Sequence, residues 1–101
     1  MRQVMVRYRV KPGRAAENET LVRAVYDELS AAAPAGFRYA TFRLDDGVTF
    51  VHLAVQDDDG PGPLPQLAAF RAFVAGIGER CDEPPAVSEL TRIGAFRLHD
   101  G

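Results

Sequence analysis

A chain of 101 residues, 47% hydrophobic and 26% charged, reads as one domain, 1–101, with enough apolar content for a core of its own. Its 12 Lys and Arg against 14 Asp and Glu leave a net charge of −2, which speaks against nucleic acid as a partner, since such domains carry a basic excess. No apolar run approaches the roughly 20 residues that span a bilayer, Met1-Arg2-Gln3 opens no signal peptide, and the single cysteine, Cys81, fits a reducing, cytoplasmic setting.

Gln3 to Val10 alternates Val4, Val6, Tyr8 and Val10 against Met5, Arg7 and Arg9, the period of two that marks a strand. Lys11-Pro12-Gly13 ends it. From Arg14 to about Ala33 the period becomes helical, with Leu21, Val25 and Leu29 in one stripe and Val22 and Ala32 beside them. Glu17 and Glu19 sit near its start, where the helix dipole favours negative charge. Pro34-Ala35-Gly36 closes the helix. Phe37 to Leu44 and Val48 to Gln56 are two more alternating runs, joined by Asp45-Asp46-Gly47; Asp-Gly there signals a hairpin, because the tight turn needs positive φ. After the loop Asp57 to Pro63, a second helix is predicted from Leu64 to Gly78, with Leu67, Phe70, Val74 and Ile77 at helical spacing and Phe73 flanking. Glu83-Pro84-Pro85 is expected to interrupt the chain before a last strand, Val87 to Leu98, with Gly94 as a bulge.

The order β-α-β-β-α-β predicts an α+β, ferredoxin-like fold: a four-stranded antiparallel sheet with both helices on one face. Strand parity assigns Val4, Val6, Val10, Ala40, Phe42, Leu44, Val51, Leu53 and Val55 to the helix-covered core, with the Tyr8 hydroxyl at its rim. The bare face then receives Met5, Arg7, Arg9, Phe37, Tyr39, Thr41, Arg43, Phe50 and His52. A solvated face with snorkelling arginines is one reading. Met5, Phe37, Tyr39 and Phe50 make a large apolar area for a monomer to expose, so a second copy packed by two-fold symmetry is the other, with a cavity where side chains do not meet.

The stretch Val6-Arg7-Tyr8-Arg9-Val10-Lys11-Pro12-Gly13, followed by Glu17-Asn18 at a helix start, resembles the antibiotic-biosynthesis-monooxygenase-type domain. The later layout is similar too: a hydrophobic strand holding His52, a helix with Leu67, Phe70 and Phe73, and a final strand. The resemblance implies a dimeric α+β barrel, with two sheets face to face, helices outside and a pocket in each subunit. Activities in that superfamily include cofactor-free oxygenation of polycyclic aromatics, haem degradation and lactone isomerisation. The oxygenases surround substrate with tryptophan, tyrosine, asparagine and histidine. Here there is no tryptophan and the sole asparagine is Asn18, which argues against haem chemistry.

His52 and Tyr39 are the candidate catalytic residues, since imidazole titrates near pH 6.5 and a phenol can orient or deprotonate a phenolic substrate. Arg7, Arg43, Phe50 and Met5 are the candidate substrate-binding residues, the arginines steadying an anionic or enolate oxygen. His52 and Tyr39 also read as interface packing, and the arginines as partners of carboxylates on a second subunit. No cofactor or metal is implied. Asp57-Asp58-Asp59-Gly60 does not alternate as a calcium loop must, and Ala68 stands where its closing glutamate belongs. Gly76-Ile77-Gly78 lacks the third glycine of a dinucleotide site, Cys81 lacks a spaced metal-ligand partner, and Ser30 and Ser88 lack nucleophile-elbow glycines. His99 is read as a spectator near the end. Two functions follow: a homodimeric, cofactor-independent monooxygenase or isomerase acting on an aromatic or polyketide-like molecule, or a non-catalytic small-molecule-binding or interaction module of the same fold.

Overall fold

A computed structural model describes residues 1–98; His99 lies outside the described residues. Four strands, β1 (Arg2–Val10), β2 (Phe37–Arg43), β3 (Thr49–Gln56) and β4 (Cys81–Glu89), form one antiparallel sheet in the order β2-β3-β1-β4. Helix α1 (Ala15–Ala32) joins β1 to β2. A 3₁₀ turn (Leu64–Gln66) and the short helices α2 (Ala68–Ala75) and α3 (Ile77–Arg80) lie between β3 and β4. This is the ferredoxin-like β-α-β-β-α-β arrangement. No described helix is long and apolar enough to cross a membrane.

The expected second helix is split. Pro65 sits in the 3₁₀ turn, and Gly76 separates α2 from α3. The expected last strand begins and ends earlier than its alternation indicates. Glu83-Pro84-Pro85 lies inside β4 rather than breaking the chain. Proline is tolerated there because β4 is an edge strand and its pairing with β1 slips between Arg7 and Arg9 and again before Val10. Beyond Leu90 the backbone carries no regular structure up to Leu98.

The two faces of the sheet are exchanged for β2 and β3 relative to the parity assignment. β1 pairs with β3 so that Val6 lies opposite His52 and Tyr8 opposite Phe50; β2 places Thr41 opposite His52 and Tyr39 opposite Ala54. Cross-strand partners share a face. His52, Phe50, Tyr39 and Thr41 therefore point with Val6, Tyr8 and Val10 towards the helices, where Tyr8, Val10, Phe50 and Phe73 form the buried centre with Val22 and Val25. Ala40, Phe42, Val51, Leu53 and Val55 line the open face with Met5, Arg7 and Arg9. A one-residue change of register reverses every side chain of a strand, and here both rows are apolar enough to pass for a core.

Candidate functional site

Helix α1 brings one polar residue and one phenol onto its inward stripe. Asn18, Val22, Val25 and Tyr26 fall at i, i+4, i+7 and i+8, so all four face the sheet. Asn18 is fully buried. On the sheet below stand Tyr8 of β1, Tyr39 and Thr41 of β2, and His52 of β3, the last only 4% exposed. Arg80, at the end of α3, reaches in from the far side and is 2% exposed.

These side chains form one continuous hydrogen-bonded chain. Arg80 Nε donates to Asn18 Oδ1 (3.2 Å) and Arg80 Nη2 to the Phe73 carbonyl (2.9 Å). Asn18 Nδ2 donates to Tyr8 Oη (2.8 Å), and Tyr8 Oη lies 2.8 Å from His52 Nε2. On the other side of the ring, His52 Nδ1 contacts Tyr39 Oη at 2.6 Å and Thr41 Oγ1 at 3.2 Å. Thr41 Oγ1 meets Tyr26 Oη at 2.8 Å. Among the described residues no buried side-chain N or O is left without a partner, as burial of polar groups requires.

Aromatic rings wall the chain off from water. Phe50 stacks on Tyr8 (centroids 5.6 Å, planes 10° apart), while Phe73 sits 6.0 Å from Tyr8 and 5.5 Å from His52. Arg80 has no carboxylate partner among the described residues; its guanidinium lies 5.2 Å from the Phe73 ring centre, within cation–π range. Gly76 makes room for it, since a Cβ there would come within 2.9 Å of Arg80 Nη1.

Burial fixes the protonation states. It pulls His52 down from 6.5 to about 4 and pushes Tyr8 up to about 12; Asn18 and the Arg80 charge pull Tyr8 back the other way, less strongly. Tyr39 and Tyr26 are also raised by burial. At neutral pH the imidazole is neutral and the phenols are protonated.

Two clefts open between α1 and β2 on either side of Tyr26. One, of about 210 Å³, is bounded by Thr41, Arg43 and Phe50. The other, of about 220 Å³, is bounded by Phe37, Tyr39 and Leu29. Tyr26 lines both and stacks on Tyr39 with centroids 5.4 Å apart. His52 lines neither cleft and reaches them through Tyr39 and Thr41. Arg43 stands at the first cleft, 3.4 Å from Glu19.

Of the residues singled out from sequence, His52 and Tyr39 are in direct contact, and Phe50 and Arg43 share their face. Met5 and Arg7 do not: each lies on the opposite side of the sheet, paired with Leu53 and Val51. Tyr8, expected at a rim, has its hydroxyl at the centre of the buried chain. Tyr26 and Arg80 are not among the candidates drawn from sequence, and Asn18 enters there only through the resemblance. Asn18 carried a signal, a polar residue at a position of the apolar helical stripe; for Arg80 the only hint is the glycine one turn earlier. Among the described residues no group of three or more His, Cys, Asp or Glu side chains is placed to hold a metal.

As a sequence, the chain matches no family model and no curated protein. Its structure is similar to one named antibiotic biosynthesis monooxygenase, at 17% identity and TM-score 0.74, covering 93% of this chain and 100% of that one. A Nitrosomonas europaea structure of the same designation gives TM-score 0.78 at 14% identity, again covering 93% and 100%. A Pseudomonas aeruginosa protein gives 0.72 at 20%, covering 92% and 94%. The chain thus has the fold of antibiotic-biosynthesis-monooxygenase-type proteins.

Proposed function

We propose that this protein is a cofactor-independent monooxygenase or isomerase that moves a proton at an oxygen-bearing aromatic or polyketide-like molecule held beside Tyr26. The observation that carries this reading is the 2.6 Å contact of Tyr39 Oη with His52 Nδ1 at the inner wall of a cleft. A phenol backed by a neutral imidazole can exchange a proton with a substrate oxygen, and Arg43 can steady the anion that develops. In the oxygenase version, the substrate enters as its enolate, having lost its proton to water, accepts a hydrogen bond from the Tyr39 hydroxyl, and meets O₂ directly. A CH₂ group becomes C=O, the second oxygen atom leaves as water, and the substrate carbon supplies all four electrons. The name carried by the fold neighbours points in the same direction. Each cleft alone falls short of the ~300 Å³ of ordinary ligand pockets, so we propose that Tyr26 swings aside to join them.

The test is a panel of phenols, hydroquinones and polyketide fragments, screened by thermal shift and then in an oxygen electrode. At least one compound is expected to raise the Tm and to be oxidised with one O₂ consumed per molecule, or to be rearranged. A compound that raises the Tm and is left unchanged would identify a binding module instead. That second reading is favoured by one observation: burial keeps His52 and its tyrosine partners neutral, so no ionised base stands ready.

We also propose that the working unit is a homodimer, in the reducing cytoplasm, formed by packing open sheet faces together. In support, Phe42 is 53% exposed, and an apolar cavity of about 260 Å³ lies between Phe42, Leu53, Val55 and Leu98. The aromatic residues expected to need such cover are inside, and an aliphatic row takes their place. Phe42→Glu is expected to shift the sedimenting species from dimer to monomer with little change in secondary structure. Wild-type protein that sediments as a monomer at micromolar concentration rejects the dimer.

A further inference from the structure

We infer that Arg80 and Asn18 act as positioning residues that set the direction of every hydrogen bond in the buried chain, so that a hydroxyl proton is left over to point into the clefts beside Tyr26. The site would then receive a ligand through a hydrogen-bond-accepting oxygen, such as a ketone, enolate or phenolate.

The protons of the buried chain can be counted from the one group with no choice. A guanidinium only donates. The Asn18 atom facing Arg80 Nε must therefore be its carbonyl oxygen, and the amide nitrogen must face Tyr8, as the geometry has it. Tyr8 Oη then accepts from Asn18, and its single proton is free to go to its other partner, His52 Nε2, 2.8 Å away. With Nε2 an acceptor, a neutral His52 carries its proton on Nδ1. Nδ1 is thus a donor towards Tyr39 and Thr41 and can take no proton from them.

Tyr39, Thr41 and Tyr26 hold three hydroxyl protons. Tyr26 and Thr41, 2.8 Å apart, can share one of these between them, and Nδ1 accepts none. At least one O–H is surplus, and these three residues line the two clefts. Reversing the chain lowers the surplus by one, because Nδ1 would then accept a proton from Tyr39 or Thr41. A buried cation about two side chains away from the imidazole therefore decides how many donors the clefts present. The polarity stands on the hydrogen bonds alone; only the choice of ligand rests on the reading of the clefts as a binding site.

The polarity can be read by ¹⁵N NMR of the full-length labelled chain at pH 7, with His52 assigned by the signals lost in His52→Gln. In wild type, Nδ1 is expected at the protonated, pyrrole-like position and Nε2 at the unprotonated, pyridine-like one. Asn18→Asp keeps the shape but makes residue 18 accept on both sides. Tyr8 must then donate to it, Nε2 must donate to Tyr8, and the two nitrogen signals should exchange positions. Arg80→Lys, which keeps a donor, should retain the wild-type pattern. A wild-type spectrum with Nε2 protonated overturns the inference without any variant, as does an Asn18→Asp spectrum with Nδ1 still protonated. The expected pattern without turnover of any panel compound would reject the enzymatic reading and leave this one standing.

Discussion

Between pH 7 and pH 4 the wild-type chain should lose about 3 kcal/mol more stability than a His52→Gln variant. His52 is 4% exposed, both its ring nitrogens are already engaged, and burial lowers it from 6.5 to about 4. The folded state therefore favours the neutral ring. Above pH 6.5 both states hold it neutral and the full contribution is present. As pH falls from 6.5 towards 4, the unfolded chain binds a proton that the folded chain refuses, and stability drains away; the gap corresponds to about 3 kcal/mol. No neighbouring charge relieves this, since the phenols around the ring stay protonated. Carboxylates held low by their partners, such as Glu17 and Glu79 on Arg14, also lose stabilisation in acid, but they do so in both proteins. Denaturant unfolding of the two at pH 7, 6, 5 and 4 separates the effects. Parallel acid limbs would show that water reaches His52 in the folded protein and that the chain is not sealed.

The elements of this fold were legible because their signals are local. The Asp45-Asp46-Gly47 turn fixes the β2–β3 hairpin, and with it the grouping of Tyr39, Thr41, Phe50 and His52 on one face. Which side of the sheet that face takes is decided elsewhere. It depends on the pairing of β1 with β3, residues forty or more positions apart, and no turn dictates it. Apolarity misleads at that step. Val51, Leu53 and Val55 look more like a core than Phe50 and His52 do, yet His52, Tyr8, Tyr39 and Thr41 satisfy one another's polar atoms. Once paired, they no longer carry the penalty that keeps polar groups outside. The same reasoning hides Arg80. A charged residue at a helix end reads as surface until Gly76, the Phe73 carbonyl and Asn18 are seen to converge on it. Met5 and Arg7 lie outside the site for the converse reason: they do share one side of β1, but that side faces with Leu53 and Val51 and not with Phe50 and His52.

Tyr39→Phe is expected to lower kcat by roughly 10²–10⁴-fold on whichever panel compound is turned over, the range that one positioned acid–base group supplies. The phenol lines a cleft and contacts His52 at 2.6 Å, closer than the 3.2 Å of Thr41. Its ring would stay in place, stacked between Tyr26 and Phe37, so KM should change little. Stability should fall only by the ~1 kcal/mol of one lost hydrogen bond, because Nδ1 retains Thr41 at 3.2 Å as a fallback. Arg43→Ala should show the complementary pattern, a raised KM with a smaller effect on kcat, if the guanidinium holds substrate at the cleft mouth. The contrast between the two matters more than either alone. A loss of kcat confined to Tyr39→Phe assigns the proton transfer to the phenol. An unchanged kcat there would mean that the reacting oxygen sits in the Thr41–Arg43 cleft, with Thr41 as the hydroxyl that His52 Nδ1 backs and that donates to it. Thr41→Val would then carry the defect in place of Tyr39→Phe.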